Sequence, residues 1–268
     1  MSVKGSGTAR RAVLGFVCGV ATIAAAPVAA QAADVTVRVE GQSSTLLPPT
    51  RVTVGSGSGR ALTWDGNPMP TSCLDDTVYA ATETALRGDW DRNPYAETIE
   101  GELHRWSPNE EYWILYHNNN YADWGSCDLH LRDGDTVLWQ AGKSGPSPTF
   151  IPDAVPIEIA RVGSGTIRTG STVTIQLTEW KPTDIFGTPD PRIPGHWIIP
   201  ASPASYPSGY TVAGTGGVTS RTTNGSGQAA LTMPSTAGWV TVSASVPGSA
   251  SNWSRAVPIR LCVGTSPC

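Results

Sequence analysis

The sequence predicts a mainly β protein that contains one helix, and three observations lead to this prediction. First, 29 glycines and 22 prolines make up 51 of the 268 residues, while only 15% of the residues are charged. Such a composition is typical of turn-rich β structure and argues against coiled coils and helical bundles. Second, most apolar residues lie in short runs between turn residues. Third, helical spacing of apolar residues occurs in one segment only.

The first 32 residues have the organisation of an export signal. Lys4, Arg10 and Arg11 precede an apolar stretch, and Ala30-Gln31-Ala32 has the small residues of a cleavage site. We expect cleavage after Ala32 and a secreted, extracellular protein, and the Arg10-Arg11 pair also permits twin-arginine export. Removal of three cations would change the formal net charge from −4 to −7. We expect no membrane span in the mature chain, because no later segment is long and apolar enough.

Four cysteines remain once Cys18 leaves with the signal, and an even number in an exported chain predicts disulfides. Three pairings are possible. The short separation of Cys262 and Cys268 favours a local ring between them, which leaves Cys73 to pair with Cys127.

A glycine- and proline-rich linker at residues 142–150 divides the mature chain into domains 33–141 and 151–268. Residues 34–145 carry 17 acidic and 8 basic residues, whereas residues 150–268 carry 5 acidic and 7 basic residues. Neither half has a basic stripe, so we expect no nucleic-acid partner.

The first domain alternates strands with one helix. Apolar valines at 35, 37 and 39 alternate with polar residues, which predicts a half-buried strand. Apolar residues from Leu74 to Leu86 have helical spacing, Asp75 or Asp76 is the expected cap, and Gly88 is the expected stop. Further extended segments are predicted at 51–54, 95–103, 111–117 and 136–140. The predicted arrangement is a sheet curled around one helix.

The second domain has no helical signal. Short β-type runs are predicted at 156–159, 171–178, 196–199, 228–233, 239–245 and 256–263. Turn residues separate these runs, so a two-sheet sandwich is the economical prediction. Residues 225–233 and 237–242 resemble the closing strands of bacterial Ig-like domains, which implies an Ig-like β-sandwich.

Residues 112–119, 124–127 and 131–139 carry the most distinctive motifs: a Trp-bearing strand, an Asn turn, a Gly, and Leu-x-x-Gly-Asp-x-Val entering a last strand. Together they resemble the transcobalamin-like C-terminal domain family (DUF4430) of exported bacterial proteins, over roughly residues 34–141. The resemblance implies a β-grasp-like α+β domain, with one helix on a mixed sheet. In vertebrate relatives this domain and a helical barrel close over cobalamin, and we expect no such barrel in this chain.

The resemblance and the local crowding of rings suggest a ligand surface on the predicted hairpin. Large rings there suit stacking on a macrocycle or a sugar. The alternative is core packing, because Trp113 and Leu115 face opposite to residues 112, 114 and 116, and one of these sets must be core. The candidate ligand-binding residues are Trp113, Asn118, Tyr121, Trp124 and Gly125.

A second candidate site is a calcium loop. Asp89, Asp91 and Asn93 match the opening D-x-D-x-N of such a loop, and Glu100 falls at its twelfth position. Pro94 replaces the glycine of the sharp turn, however, so a solvated acidic turn is the alternative.

Motifs of catalysis are missing from the sequence. The histidines have no metal-binding spacing, there is no G-x-S-x-G elbow, and no cysteine stays free after pairing. We therefore expect a secreted, non-catalytic binding protein. The first hypothesis is a small-ligand module, with a corrinoid such as cobalamin as the named ligand. The alternative is an extracellular adhesion or interaction protein that binds a polymer or a surface protein.

Overall fold

A computed structural model describes residues 32–55, 60–64, 67–105, 111–122, 125–143, 154–182, 188–189, 197–198, 201–245 and 256–264. Within these ranges the chain is mainly β with one α-helix, as predicted. No helix among these residues has the length and hydropathy that a membrane span requires.

The first half contains nine strands and the helix within the described ranges. They are β1 (Ala33–Glu40), β2 (Thr45–Val54), β3 (Arg60–Trp64), β4 (Asn67–Cys73), α1 (Val78–Leu86), β5 (Thr98–Ile99), β6 (Glu102–Leu103), β7 (Glu111–His117), β8 (Asn120–Tyr121) and β9 (Thr136–Lys143). Five of these strands form a mixed sheet in the order β2-β1-β9-β7-β8. Only β1 and β9 run parallel in it, and the other neighbours are antiparallel.

Helix α1 packs on one face of this sheet, where the Trp139 indole N–H donates to Thr82 Oγ1 at 2.9 Å. The prediction of the helix start was wrong. Leu74 is 54% exposed, and the cap is Thr77, whose Oγ1 accepts from the Ala80 N–H. A hydroxyl that bonds the exposed N–H groups of the first turn starts a helix more effectively than upstream apolar spacing does. The helix ends before Gly88, whose φ of 89° lies in the left-handed region.

The opposite face of the sheet is covered beside the end of β1, so the prediction of a half-buried strand holds for residues 33–36 and is wrong for residues 37–40. Arg38 and Glu40 are buried and form an ion pair at 2.5 Å, and Thr45 Oγ1 donates to Glu40 at 2.9 Å. Tyr116 Oη on the same face donates to the Ala154 carbonyl at 2.5 Å. Charged side chains can be buried on this face of the sheet because each charge has a partner there.

The second half contains ten strands in the described residues. They are β10 (Ile157–Arg161), β11 (Thr172–Pro182), β12 (Thr188–Pro189), β13 (Trp197–Ile198), β14 (Ala201–Ser205), β15 (Thr211–Gly214), β16 (Arg221–Thr222), β17 (Gln228–Thr232), β18 (Gly238–Ser245) and β19 (Ile259–Val263). One sheet has the order β10-β11-β14, with β17 also paired to β11. The other has the order β16-β15-β18-β19, and β12 pairs with β13. Residues of both four-stranded sheets share one hydrophobic core.

The disulfide pairing predicted for the first half is confirmed. Cys73, at the end of β4, is bonded to Cys127, and their Cα atoms are 5.0 Å apart. The bond holds the residues just before α1 against the segment that follows Gly125. In the same place the Tyr79 N–H, in the first turn of α1, donates to the Ser126 carbonyl at 3.0 Å. Cys262 is also disulfide-bonded, and Cys268 lies outside the described residues.

Candidate functional site

The predicted ligand residues on β7 and β8 lie largely inside the protein. Trp113 is 4% exposed, and its ring stands edge-on to His104 with the ring centroids 4.9 Å apart. Tyr121 is half-buried against Tyr116. Gly125 is buried, and a Cβ atom there would lie 3.3 Å from the Pro94 side chain. Side chains on both faces of β7 are therefore buried, whereas the sequence required only one face to be core.

Asn118 makes its contacts inside the turn that joins β7 to β8. Asn118 and Asn119 both have positive φ, 50° and 63°, which is the geometry of a type I′ hairpin. The Asn118 Nδ2 donates to Asp135 Oδ1 at 2.6 Å, and its Oδ1 accepts from the Thr136 N–H at 2.8 Å. Both ends of the amide thus lock the hairpin to the start of β9.

Asp135 is the centre of this network. Its other oxygen lies 2.9 Å from His117 Nε2 and accepts from the Arg132 N–H at 2.9 Å. Burial opposes ionisation, but the hydrogen bonds from His117, Asn118 and the Arg132 backbone outweigh it and lower the pKa of Asp135 to about 2. The arrangement is a structural clamp around an ionised carboxylate.

The calcium-loop residues are engaged in a turn. Asp91 accepts backbone N–H groups from Asn93 at 3.0 Å, Glu97 at 2.7 Å and Thr98 at 2.9 Å. Asn93 Oδ1 accepts from the Tyr95 N–H at 3.0 Å. Burial is the main cause that raises the pKa of Glu100, and the negative charge of the neighbouring Asp89 raises it further. In the part of the chain that the structure describes, no three acidic, His or Cys side chains form a metal-binding group.

Trp124, the remaining predicted ligand residue, lies outside the described residues. The other four do not form one exposed surface: Trp113 is core, Asn118 bonds to Asp135, Tyr121 packs on a neighbouring ring, and Gly125 packs on Pro94.

The second half, by contrast, presents a large ring to solvent. Trp239 on β18 is 49% exposed, while Val240 and Val242 of the same strand are buried in the shared core. Strand alternation explains this, because residues 239 and 241 point away from the face that carries 240 and 242. The guanidinium carbon of Arg260, on the neighbouring strand β19, lies 4.5 Å from the centre of the Trp239 ring. This distance is that of a cation–π contact.

Trp239 and Arg260 line an open cleft of about 630 Å³, which we call the Trp239 cleft. A loop beside β19 forms its other wall and is held there by the Gly264 N–H, which donates to the Ile167 carbonyl at 2.7 Å. Arg161 enters from β10, and its Nη1 donates to the Gly165 carbonyl at 2.7 Å. Within the described ranges the lining residues are Arg161, Gly165, Thr166, Ile167, Trp239, Arg260, Leu261, Cys262 and Gly264, and none of these is acidic.

Comparison with protein-family models, curated proteins and solved structures returned no match.

Sequence reasoning missed the Trp239 cleft. The alternation around Trp239 was a usable signal, since it places this ring opposite two valines. No pattern in the sequence indicated that Arg260 and Arg161 would lie beside this ring. Their positions depend on the register of β18 with β19, in which Thr241 lies opposite Arg260, and on the course of the loop after β10.

Proposed function

We propose that this chain is an exported, non-catalytic binding protein that holds an extracellular polymer or surface partner in the Trp239 cleft. The observation that carries the proposal is the half-exposed Trp239 ring, stacked with Arg260 at the edge of an open cleft. An exposed Trp offers a large apolar area with a polar edge, which is suited to the flat faces of a partner. The rings of the β7–β8 hairpin, in comparison, are mostly buried.

The lining of the cleft supports a binding role rather than a catalytic one. Among the lining residues that the structure describes there is no Asp, Glu, His or Lys for proton transfer, Cys262 is disulfide-bonded, and the Thr166 hydroxyl has no general base beside it in this lining. General acid–base and nucleophilic catalysis both need such a group within reach of the substrate. The two arginines and the tryptophan supply positive charge and apolar area instead.

The first half serves, in this proposal, as a rigid base for the second. Its β7–β8 region contacts the second half through Tyr116 Oη, which donates to the Ala154 carbonyl at 2.5 Å. Asn119 Nδ2 also donates to Glu158 Oε1 on β10 at 2.8 Å. These contacts join the hairpin to the strand whose last residue, Arg161, lines the cleft.

Retention on insoluble extracellular polymers tests the proposal. The purified, disulfide-bonded chain is expected to bind cell-wall or polysaccharide material, and Trp239→Ala is expected to weaken retention at least tenfold, which is about 1.4 kcal/mol. Trp239→Phe should keep part of the binding, and Tyr206→Ala is the matched control, because Tyr206 is equally exposed outside the cleft. Equal retention of the wild type and of Trp239→Ala, with unchanged melting temperatures, would refute the proposal.

A corrinoid ligand for the first half is the second candidate. It is supported by the sheet order β2-β1-β9-β7-β8 with one helix on one face, the kind of arrangement that the family resemblance implies. Isothermal titration of the full disulfide-bonded chain with cobalamin tests it. Saturable heat with micromolar or tighter affinity would support the corrinoid hypothesis, whereas no heat from the folded chain would end it.

A further inference from the structure

We infer that the Trp239 cleft takes an acidic glycan, that is, a polysaccharide whose sugars carry carboxylate groups. This inference rests on the proposed function and specifies the chemistry of its ligand. It follows from three features of the described residues: two arginines without an acidic partner, an exposed ring beside them, and a hydroxyl-bearing strand face that continues from the ring.

The first feature is the charge of the cleft. In the described part of the chain, neither Arg161 nor Arg260 forms an ion pair, and the cleft lining contains no carboxylate. The Nε of Arg161 is buried and has no hydrogen-bond partner there, although its Nη1 is held by the Gly165 carbonyl. The guanidinium fork matches a carboxylate with two parallel hydrogen bonds, so these groups favour a carboxylate ligand.

The two acidic residues of the second half that the structure describes, Glu158 and Glu179, have partners outside the cleft. Glu179 is buried and contacts both the Tyr210 hydroxyl and, at 2.8 Å, Lys181 Nζ. Glu158 accepts from Asn119 in the first half. The field of the two cleft arginines is therefore not neutralised by these side chains, and an anionic ligand would experience it directly.

The second feature is the ring. Arg260 lies over Trp239, yet half of the Trp239 surface stays exposed. A sugar ring presents an apolar C–H face that packs on an aromatic side chain, and its carboxylate then lies within reach of a guanidinium beside the same ring. One acidic sugar would use both groups at once.

The third feature indicates a polymer rather than a small anion. On β18 the residues that share the outward side with Trp239 are Thr241, Ser243 and Ser245, and the last two are exposed. Short hydroxyl side chains donate and accept hydrogen bonds with sugar hydroxyls. From residue 239 to residue 245 the strand extends on the order of 20 Å, which is long enough for several sugar units.

Paired ligands that differ only in charge test the inference. Polygalacturonate, alginate and hyaluronan are each titrated against the full disulfide-bonded chain, alongside their neutral methyl esters. We expect at least one acidic form to bind tenfold or more tightly than its ester, and added salt to reduce this preference. Arg260→Gln and Arg161→Gln should each remove most of the preference without lowering the melting temperature. Arg221→Gln, on the same sheet as Arg260 but outside the cleft, should preserve it.

The outcomes separate this inference from the proposed function. Equal binding of acids and esters, lost on Trp239→Ala, would overturn the acidic specificity and leave polymer binding in place. Tighter binding of phosphopeptides or anionic lipid vesicles than of any acidic glycan would also overturn it. If no polymer binds through Trp239 at all, the acidic-glycan inference and the polymer-binding form of the proposed function both fail.

Discussion

Acid is expected to destabilise this protein through Asp135. The carboxylate is 9% exposed, and despite its burial the hydrogen bonds from His117, Asn118 and the Arg132 backbone lower its pKa from 3.8 to about 2. A carboxylate whose pKa is lower in the folded state stabilises the fold above its unfolded pKa and loses that contribution as the pH falls. The lowering of the pKa by nearly two corresponds to about 2 kcal/mol. Most of this free energy should be lost between pH 4 and pH 2.

Urea unfolding of the wild type and of Asp135→Asn from pH 5 to pH 2 measures this contribution. The difference in unfolding free energy between them should shrink by about 2 kcal/mol over that range, because the variant cannot ionise. Asp133→Asn, two residues away and outside the His117 contact, is the matched control for the loss of a carboxylate in this turn. Parallel pH curves for the wild type and Asp135→Asn would refute this role of Asp135.

Three further perturbations follow from the structure. Replacing Cys73 and Cys127 by Ser should lower the unfolding free energy by about 4 kcal/mol, because the bond closes a loop of 54 residues; an unchanged urea midpoint would contradict this. Leu177→Ala should cost about 3 kcal/mol because Leu177 is fully buried, whereas exposed Val162→Ala should cost under about 0.5 kcal/mol in the same urea assay. Chelator should leave the melting temperature unchanged, because the oxygens of the 91–93 turn accept backbone N–H groups; a drop would establish a bound ion.

Local patterns predicted several elements well. The segment 111–117 is strand β7 with the predicted bounds, and the Asn turn after it has the left-handed geometry that a tight hairpin needs. The valines of β1 are buried as their alternation indicated. These predictions succeeded because side-chain alternation and turn preferences depend on neighbours along the chain.

Predictions that depended on a second layer failed. Arg38 and Glu40 alternate with the valines and read as solvent-facing, yet both are buried because another segment covers that face. The same coverage applies to β7, where residues on both faces belong to the core. Burial of the second face depends on which distant segment packs there, and alternation carries no information about that.

Sequence alone was enough to predict a mainly β protein with one helix, the pairing of Cys73 with Cys127, and a strand over residues 239–245. Composition, cysteine spacing and strand period are properties of the linear chain, so they need no knowledge of packing. The burial of the hairpin rings, and the position of Arg161 and Arg260 in the same cleft as an exposed tryptophan, became visible only in three dimensions. The physical reason is that a binding surface forms where strand register and loop course bring distant residues together.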